Sequence, residues 1–302
     1  MKAVKFDQYG EPDVLHVADV DEPHAGAGQI RVAVRAVGVN RFDSKVRSGA
    51  LQQAFQVEFP YIPGLEAAGV VDEVGDGVTG VSVGEEVFGN SSRATAQYAV
   101  LEHFAAKPPA MSWAEAAALP VAAETAARAL GLLGVKAGQT VLINGAAGGV
   151  GTLATQLAVA DGASVIGTAG EANHDYLRSL GATPITYGPG LVGRVREIAP
   201  NGVDLALDTA GRGALPDLIE ITGSPDNVIT IADYTAAEHG VRFTGGGEGE
   251  RRFDALGTAA TLYEQGKLSV PVAETFPLEQ AAQAHRISED GHVRGKLVIL
   301  LE

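Results

Sequence analysis

The sequence predicts an α/β protein, in which a β-rich region drawn from both ends of the chain flanks a doubly wound parallel sheet. Three observations predict it. Residues 1 to about 110 hold short strands punctuated by Gly, Pro and Asp, the pattern of a small barrel-like β domain. From about 140 to 232, strands and helices alternate at the spacing of βαβ units. Between the first of those strands and its helix lies a glycine cluster, Asn144-Gly145-Ala146-Ala147-Gly148-Gly149-Val150-Gly151.

The β-rich region opens on an amphipathic strand at 1–6. It continues through strands at 30–37, 69–75, 83–89 and 96–100, with a helix near 40–49. Ser112, followed three residues later by Glu115, forms a capping box that opens an alanine-rich helix over 114–119. After Pro120 a second helix covers 123–133. Strands are then expected at 141–144, 164–168, 184–187, 203–207 and 227–232. A helix follows the glycine turn and runs to about 160, and further helices lie at 173–180, 191–198 and 214–222. Beyond a helix at 253–265 the pattern returns to strands at 268–272 and 296–300, separated by a polar helix at 278–287. The last strand is placed to rejoin the N-terminal β region.

Composition narrows the function classes. With 46% apolar and 20% charged residues in 302, the chain has ample material for globular cores. A formal charge of −15 argues against a nucleic-acid or anionic-membrane partner, either of which needs a basic face. No apolar run is long enough to cross a bilayer and no signal-like segment opens the sequence, so a cytoplasmic protein is expected. The absence of cysteine removes disulfides, thiolate nucleophiles and cysteine–metal sites.

The glycine cluster carries the first chemical signal. Gly145, Gly148 and Gly151 recur at three-residue spacing where a buried strand turns into a helix. Such a turn lets backbone N–H groups converge on an anion, and the positive end of the helix dipole favours a phosphate there. Tight turn, close backbone approach and helix-on-strand packing are the three uses of glycine at a dinucleotide site. The strand at 164–168 ends in Thr168-Ala169-Gly170 without the acid that binds a free ribose, which permits a 2′-phosphate; Glu171 lies slightly beyond.

Four further stretches extend this signal: Ile62-Pro63-Gly64-Leu65-Glu66-Ala67-Ala68-Gly69, Gly77 through Gly89, Ala116-Ala117-Ala118-Leu119-Pro120-Val121, and Asp208-Thr209-Ala210-Gly211. In this order they resemble the medium-chain dehydrogenase/reductase superfamily, and within it the zinc-independent quinone oxidoreductase branch. The resemblance implies a GroES-like β domain over 1–113 and 256–302, a Rossmann domain over 114–255, and an active site in the cleft between them. Zinc-dependent members use a cysteine and a histidine that this sequence replaces: Leu65 stands where the histidine would be. The histidines at 16, 24, 103, 174, 239, 285 and 292 show no metal-ligand spacing.

The same resemblance implies NADPH (NADP) as cofactor and hydride transfer to a quinone or conjugated carbonyl without metal. Asn40 and Asp43 match the positions nearest the nicotinamide and are the catalytic candidates. Asn40 would orient or polarise the substrate carbonyl, or simply cap a loop. Asp43 could equally be a helix cap or a partner of Arg47. The implied cofactor contacts are Asn40, Thr125, Gly145, Ala146, Ala147, Gly148, Gly149, Val150, Thr168, Asn173, His174, Tyr187, Ile229, Ile231 and Phe243. Lys45 departs from a tyrosine of some relatives. A homodimer through an edge strand of the nucleotide domain is the family habit. Two other readings remain: an enoyl or 2-alkenal reductase of the same superfamily, and a catalytically silent NADPH-binding sensor.

Overall fold

The computed structural model describes residues 1–247 and 249–301. The chain divides into two compact units, one holding residues 1–121 and the chain from 256 onward, the other residues 122–255. The first unit begins with β1 (Lys2–Lys5), β2 (His16–Asp19), β3 (Ile30–Val39), α1 (Arg41–Arg47), β4 (Glu66–Val74), β5 (Glu86–Asn90), β6 (Tyr98–Leu101), β7 (His103–Ala106) and α2 (Trp113–Ala117). Helix α3 (Pro120–Leu133) carries the chain into the second unit. There follow β8 (Thr140–Asn144), α4 (Gly149–Ala160), β9 (Ser164–Thr168), α5 (His174–Ser179), β10 (Thr183–Ile185), α6 (Leu191–Ile198), β11 (Leu205–Asp208), α7 (Leu215–Thr222), β12 (Val228–Thr230) and β13 (Arg242–Phe243). Helix α8 (Ala255–Glu264) leads back, and β14 (Val272–Pro277), α9 (Ala281–Asp290) and β15 (Lys296–Leu300) complete the first unit.

In the first unit the main sheet runs β14-β15-β3-β4-β5-β7, with β6 also paired to β3. Strand β15 lies antiparallel on β3, Leu297 opposite Val39, so the end of the chain does rejoin the N-terminal region. Ile30, Val32 and Val34 of β3 point into a core with Phe6, Leu101, Phe276 and Ile299, while Arg31, Ala33 and Arg35 alternate outward. From Ala36 onward the alternation stops because α2 packs over that end of the strand and both faces are covered.

The second unit is a parallel sheet in the order β10-β9-β8-β11-β12-β13, with each neighbouring pair parallel. Val141, Leu142 and Ile143 of β8 are fully buried, as a central parallel strand requires. Helix α4 is buried from Gly151 to Ala158, which explains its lack of a polar face. Strand order reverses between β8 and β11, the position where an open α/β sheet binds ligands beyond its carboxyl ends.

Three local expectations are corrected. Residues 268–271 are not a strand: Pro271 has no N–H to give a ladder, and β14 starts just after it. Residues 83–85 form a turn around Gly84 (φ 94°), leaving Val83 exposed, and β5 starts only at Glu86. The second of the two expected helices starts at Pro120 instead of 123, since a first-turn position makes no use of the missing N–H.

Candidate active site

The glycine turn after β8 assigns a different task to each of its three glycines. Gly145 has φ 80°, and a Cβ there would lie 2.9 Å from both the Ala210 Cβ and the Thr209 Oγ1. A Cβ on Gly151 would lie 2.2 Å from the Gly145 carbonyl oxygen, so the first turn of α4 is pressed directly onto the loop. Gly148, the N-cap of α4, is different: a Cβ there meets only the Gly145 oxygen, at 3.4 Å. Gly148, Gly149 and Val150 are half-buried at the start of a twelve-residue helix. A turn packed tightly at two glycines and open to a backbone approach at the third, at the positive end of a helix, fits a dinucleotide pyrophosphate.

Behind this cradle a row of polar side chains crosses four neighbouring strands at their carboxyl ends. Thr168 Oγ1 donates to Asn144 Oδ1 (2.6 Å), and Asn144 Nδ2 donates to Asp208 Oδ1 (2.9 Å). Thr230 Oγ1 donates to Asp208 Oδ2 (2.7 Å). Asp208 also accepts from the Ala210 and Gly211 amides at 3.1 and 2.9 Å. Thr168 Oγ1 in turn accepts from the Gly145 amide at 3.0 Å. All four side chains are buried and hydrogen-bonded, so the row fixes the β8 turn from beneath. Thr168, expected as a cofactor contact, has its hydroxyl engaged inside, with Asn144 and the Gly145 amide. Ala146 and Ala147 are buried in the turn, and the Ala146 amide bonds the Thr168 carbonyl at 3.0 Å.

Past β9, Glu171 is exposed on a short turn, and Asn173 and His174 are half-buried. The buried Nε2 of His174 has no hydrogen-bond partner among the described residues. Tyr187 is exposed just after β10, and its loop is gathered by Arg194, whose guanidinium bonds the carbonyls of Thr186 (2.8 Å), Gly188 (3.0 Å) and Pro189 (2.8 Å). On the other side of the switch point, Ile229 is buried in β12 and Ile231 follows at the strand end. Phe243 is partly exposed and stacks near Tyr234, ring centroids 5.2 Å apart. Thr125 lies buried on α3 within an ion network: Arg128 Nε donates to Glu124 Oε1 (2.9 Å) and Arg128 Nη1 to Thr244 Oγ1 (2.5 Å), while Thr244 donates to Glu250 (2.8 Å).

The first unit holds a second polar cluster. Asn40 is the N-cap of α1, and the Asp43 carboxylate returns to its amide at 2.9 Å. Asp43 also accepts from the Gly64 amide at 3.2 Å. Burial pushes the Asp43 carboxyl up to about 7, against the pull of those two amides and of the Lys296 ammonium. The Asn40 side chain does not cap the helix from within. Its Nδ2 donates to Glu66 Oε1 (2.8 Å), and its Oδ1 accepts from Lys296 Nζ. Lys296 Nζ also donates to Glu66 Oε1 at 2.6 Å, and the Val121 amide donates to Glu66 Oε2 at 2.7 Å. The expected Asp43–Arg47 pairing is corrected: Arg47 is fully buried, pairs with Glu289 and bonds the Gly10 carbonyl, because α1 packs against α9. Arg41 likewise turns away, to the carbonyls of Ser288 and Glu289.

Among the described residues no group of three or more His, Cys, Asp or Glu side chains is placed to hold a metal ion. Glu66 is neutralised by Lys296, and Leu65 is its neighbour. The residues present do not fit a zinc ion. Sequence reasoning did not single out Glu66, Lys296, Arg128 and Arg194 as candidates, although each holds together one of these clusters. The available signal was a charge at the head of an otherwise apolar strand, Glu66 before Ala67-Ala68-Gly69-Val70-Val71 and Lys296 before Leu297-Val298-Ile299-Leu300.

Comparison with known proteins adds family evidence to this geometry. Residues 26–167 match the family described as alcohol dehydrogenase GroES-like domain, and residues 180–299 match that described as zinc-binding dehydrogenase. The human quinone oxidoreductase is 30% identical over 100% of this chain and 98% of its own length. An NADPH-dependent alkenal/one oxidoreductase from Arabidopsis thaliana is 31% identical over 99% of this chain and 79% of its own. Among solved structures, the mycobacterial Rv1454c complexed with NADPH is 27% identical, with a TM-score of 0.86 and full coverage of both chains.

Proposed function

The chain belongs to the quinone oxidoreductase-like branch of the medium-chain dehydrogenase/reductase superfamily, and on that premise we propose that this NADPH-dependent oxidoreductase reduces quinones or conjugated carbonyls without a metal. The observation that carries the reading is the Asn40–Glu66–Lys296 cluster. Next to Leu65, which stands where zinc-dependent members have a histidine, this chain closes a buried ion pair on an amide. NADPH, when bound, supplies the hydride. The turn at Gly145–Gly151 would hold the pyrophosphate, with Gly148 giving the backbone approach. Asn173, His174 and Tyr187 would face the adenosine side, and Thr125, Ile229, Ile231 and Phe243 the nicotinamide side. Asn40 would donate from Nδ2 to the substrate oxygen as negative charge develops there. Asp43, its carboxyl pushed up to about 7, would hold a proton beside the Asn40 backbone amide.

Relatives named for alkenal or enone reduction support the neighbouring reading, a 2-alkenal or enoyl reductase, which needs the same donor to an oxygen. A homodimer located in the cytoplasm completes the proposal; light scattering should return twice the mass of one chain.

The test is a titration of NADPH and of NADH, followed by oxidation of the bound nucleotide with 1,4-benzoquinone at the nicotinamide absorbance. Tight NADPH binding with quinone-dependent oxidation is the expected result. A preference for NADH would overturn the nucleotide assignment and point to Glu171 as a ribose ligand. Binding without turnover on quinones and enones would leave the sensor reading in its place.

A further inference from the structure

The side-chain amide of Asn40 has two ends of similar shape and opposite hydrogen-bonding sense. Two neighbours with only one sense each hold it. The Lys296 ammonium can only donate, so it takes Oδ1. The Glu66 carboxylate can only accept, so it takes one hydrogen of Nδ2 at 2.8 Å. The orientation of the amide is therefore dictated by charge. Swapping its ends would set Nδ2 against an ammonium and Oδ1 against a carboxylate, a double mismatch in a buried setting. One hydrogen of Nδ2 remains, with the Gly38 carbonyl oxygen at 3.5 Å, a distance too long for a good bond.

The clamp itself is held from behind. Glu66 is fully buried and Lys296 nearly so, whereas Asn40 is half-buried. The Val121 amide fixes the second Glu66 oxygen at 2.7 Å. Gly38 makes room for the carboxylate, since a Cβ there would lie 2.2 Å from Glu66 Oε1 and 2.5 Å from the Ala117 carbonyl oxygen.

We propose that Lys296 and Glu66 are positioning residues for the reduction, clamping the Asn40 amide so that an N–H rather than a carbonyl is presented to the substrate oxygen. This rests on the reading of Asn40 as the group that orients the substrate carbonyl. The ammonium on Oδ1 also draws electron density from the amide and strengthens the remaining N–H as a donor. Neither charge touches the substrate; each acts through Asn40.

The test is a double-mutant cycle on the full chain, with NADPH and 1,4-benzoquinone as probes and NADPH affinity measured separately without acceptor. Asn40→Ala and Lys296→Met are each expected to lower kcat about 10- to 100-fold, the cost of misplacing a reacting partner. NADPH affinity should stay unchanged in Lys296→Met. In the Asn40→Ala background, Lys296→Met should add no further loss, and Lys296→Arg should restore most of kcat in the parent background. Because Lys296→Met strands a buried carboxylate, Glu66→Gln with Lys296→Met serves as the second variant; it removes both charges and should show the same kcat loss in a folded protein. If either Lys296 variant lowers kcat as much without Asn40 as with it, the clamp is refuted while the role of Asn40 stands. If Asn40→Ala leaves turnover intact, the clamp and the reading beneath it both fall.

Discussion

The glycine turn makes a prediction in which stability and binding separate. Gly151→Ala places a methyl 2.2 Å from the Gly145 carbonyl oxygen and 2.8 Å from the Ala146 Cα, both backbone atoms that cannot rotate away. The first turn of α4 must lift, which as overpacking costs about 1–3 kcal/mol. Gly145→Ala combines a left-handed backbone, φ 80°, with contacts of 2.9 Å, and the backbone alone costs about 1–2 kcal/mol. Gly148→Ala meets only one atom, at 3.4 Å, and should change stability by no more than about 1 kcal/mol. Its methyl would instead fill the space proposed for the pyrophosphate, so NADPH affinity should fall at least tenfold, about 1.4 kcal/mol. Urea unfolding without nucleotide and fluorescence titration with NADPH measure the two quantities on the same three variants. A Gly148→Ala protein that binds NADPH normally would refute the assignment of that backbone to the phosphates.

Two further predictions concern buried carboxylates. Burial raises the Asp43 carboxyl from 3.8 to about 7, so the folded state holds this proton more tightly than the unfolded chain does. Its contribution is complete below about pH 4 and lost as pH rises through about 7, so the stability of the parent relative to Asp43→Asn should fall by up to about 4 kcal/mol across that window. A pH-independent difference in urea unfolding would contradict the buried, neutral carboxyl. Asp208→Leu would orphan the Asn144 amide, the Thr230 hydroxyl and the Ala210 and Gly211 N–H groups, at a cost of about 3–5 kcal/mol. It should also weaken NADPH binding by loosening the β8 turn; a variant as stable as the parent would show that the polar row is not the support it resembles.

Most of the fold was legible because its signals are local. The parallel strands announce themselves as short apolar runs, α6 and β15 fall on the expected residues, and the Ser112–Glu115 capping box forms with a Glu115 amide to Ser112 Oγ bond of 3.2 Å. The strands missed, β2, β7 and β13, are only two to four residues long, too short for an alternating pattern to stand out. The glycine turn was legible for the same local reason, since strand, turn and helix are contiguous. The polar row behind it was not, because its members sit at the ends of four separate strands and meet only when the sheet is in register.

The Glu66–Lys296 pair shows where sequence reading stops and physical cost takes over. The two residues lie 230 positions apart, and each taken alone reads as an ordinary strand-end charge. Folding brings them together at almost complete burial, where desolvation of both ions opposes most of their attraction. Apolar side chains of similar volume would fill that space without this cost, so stability alone gives no reason for an ion pair there. Orientation does. A methionine and a leucine against Asn40 would leave its amide free to present either end, whereas a cation on Oδ1 and an anion on Nδ2 permit only one. The charges are thus accounted for by the group they hold, and the value of that group by what its remaining N–H can meet.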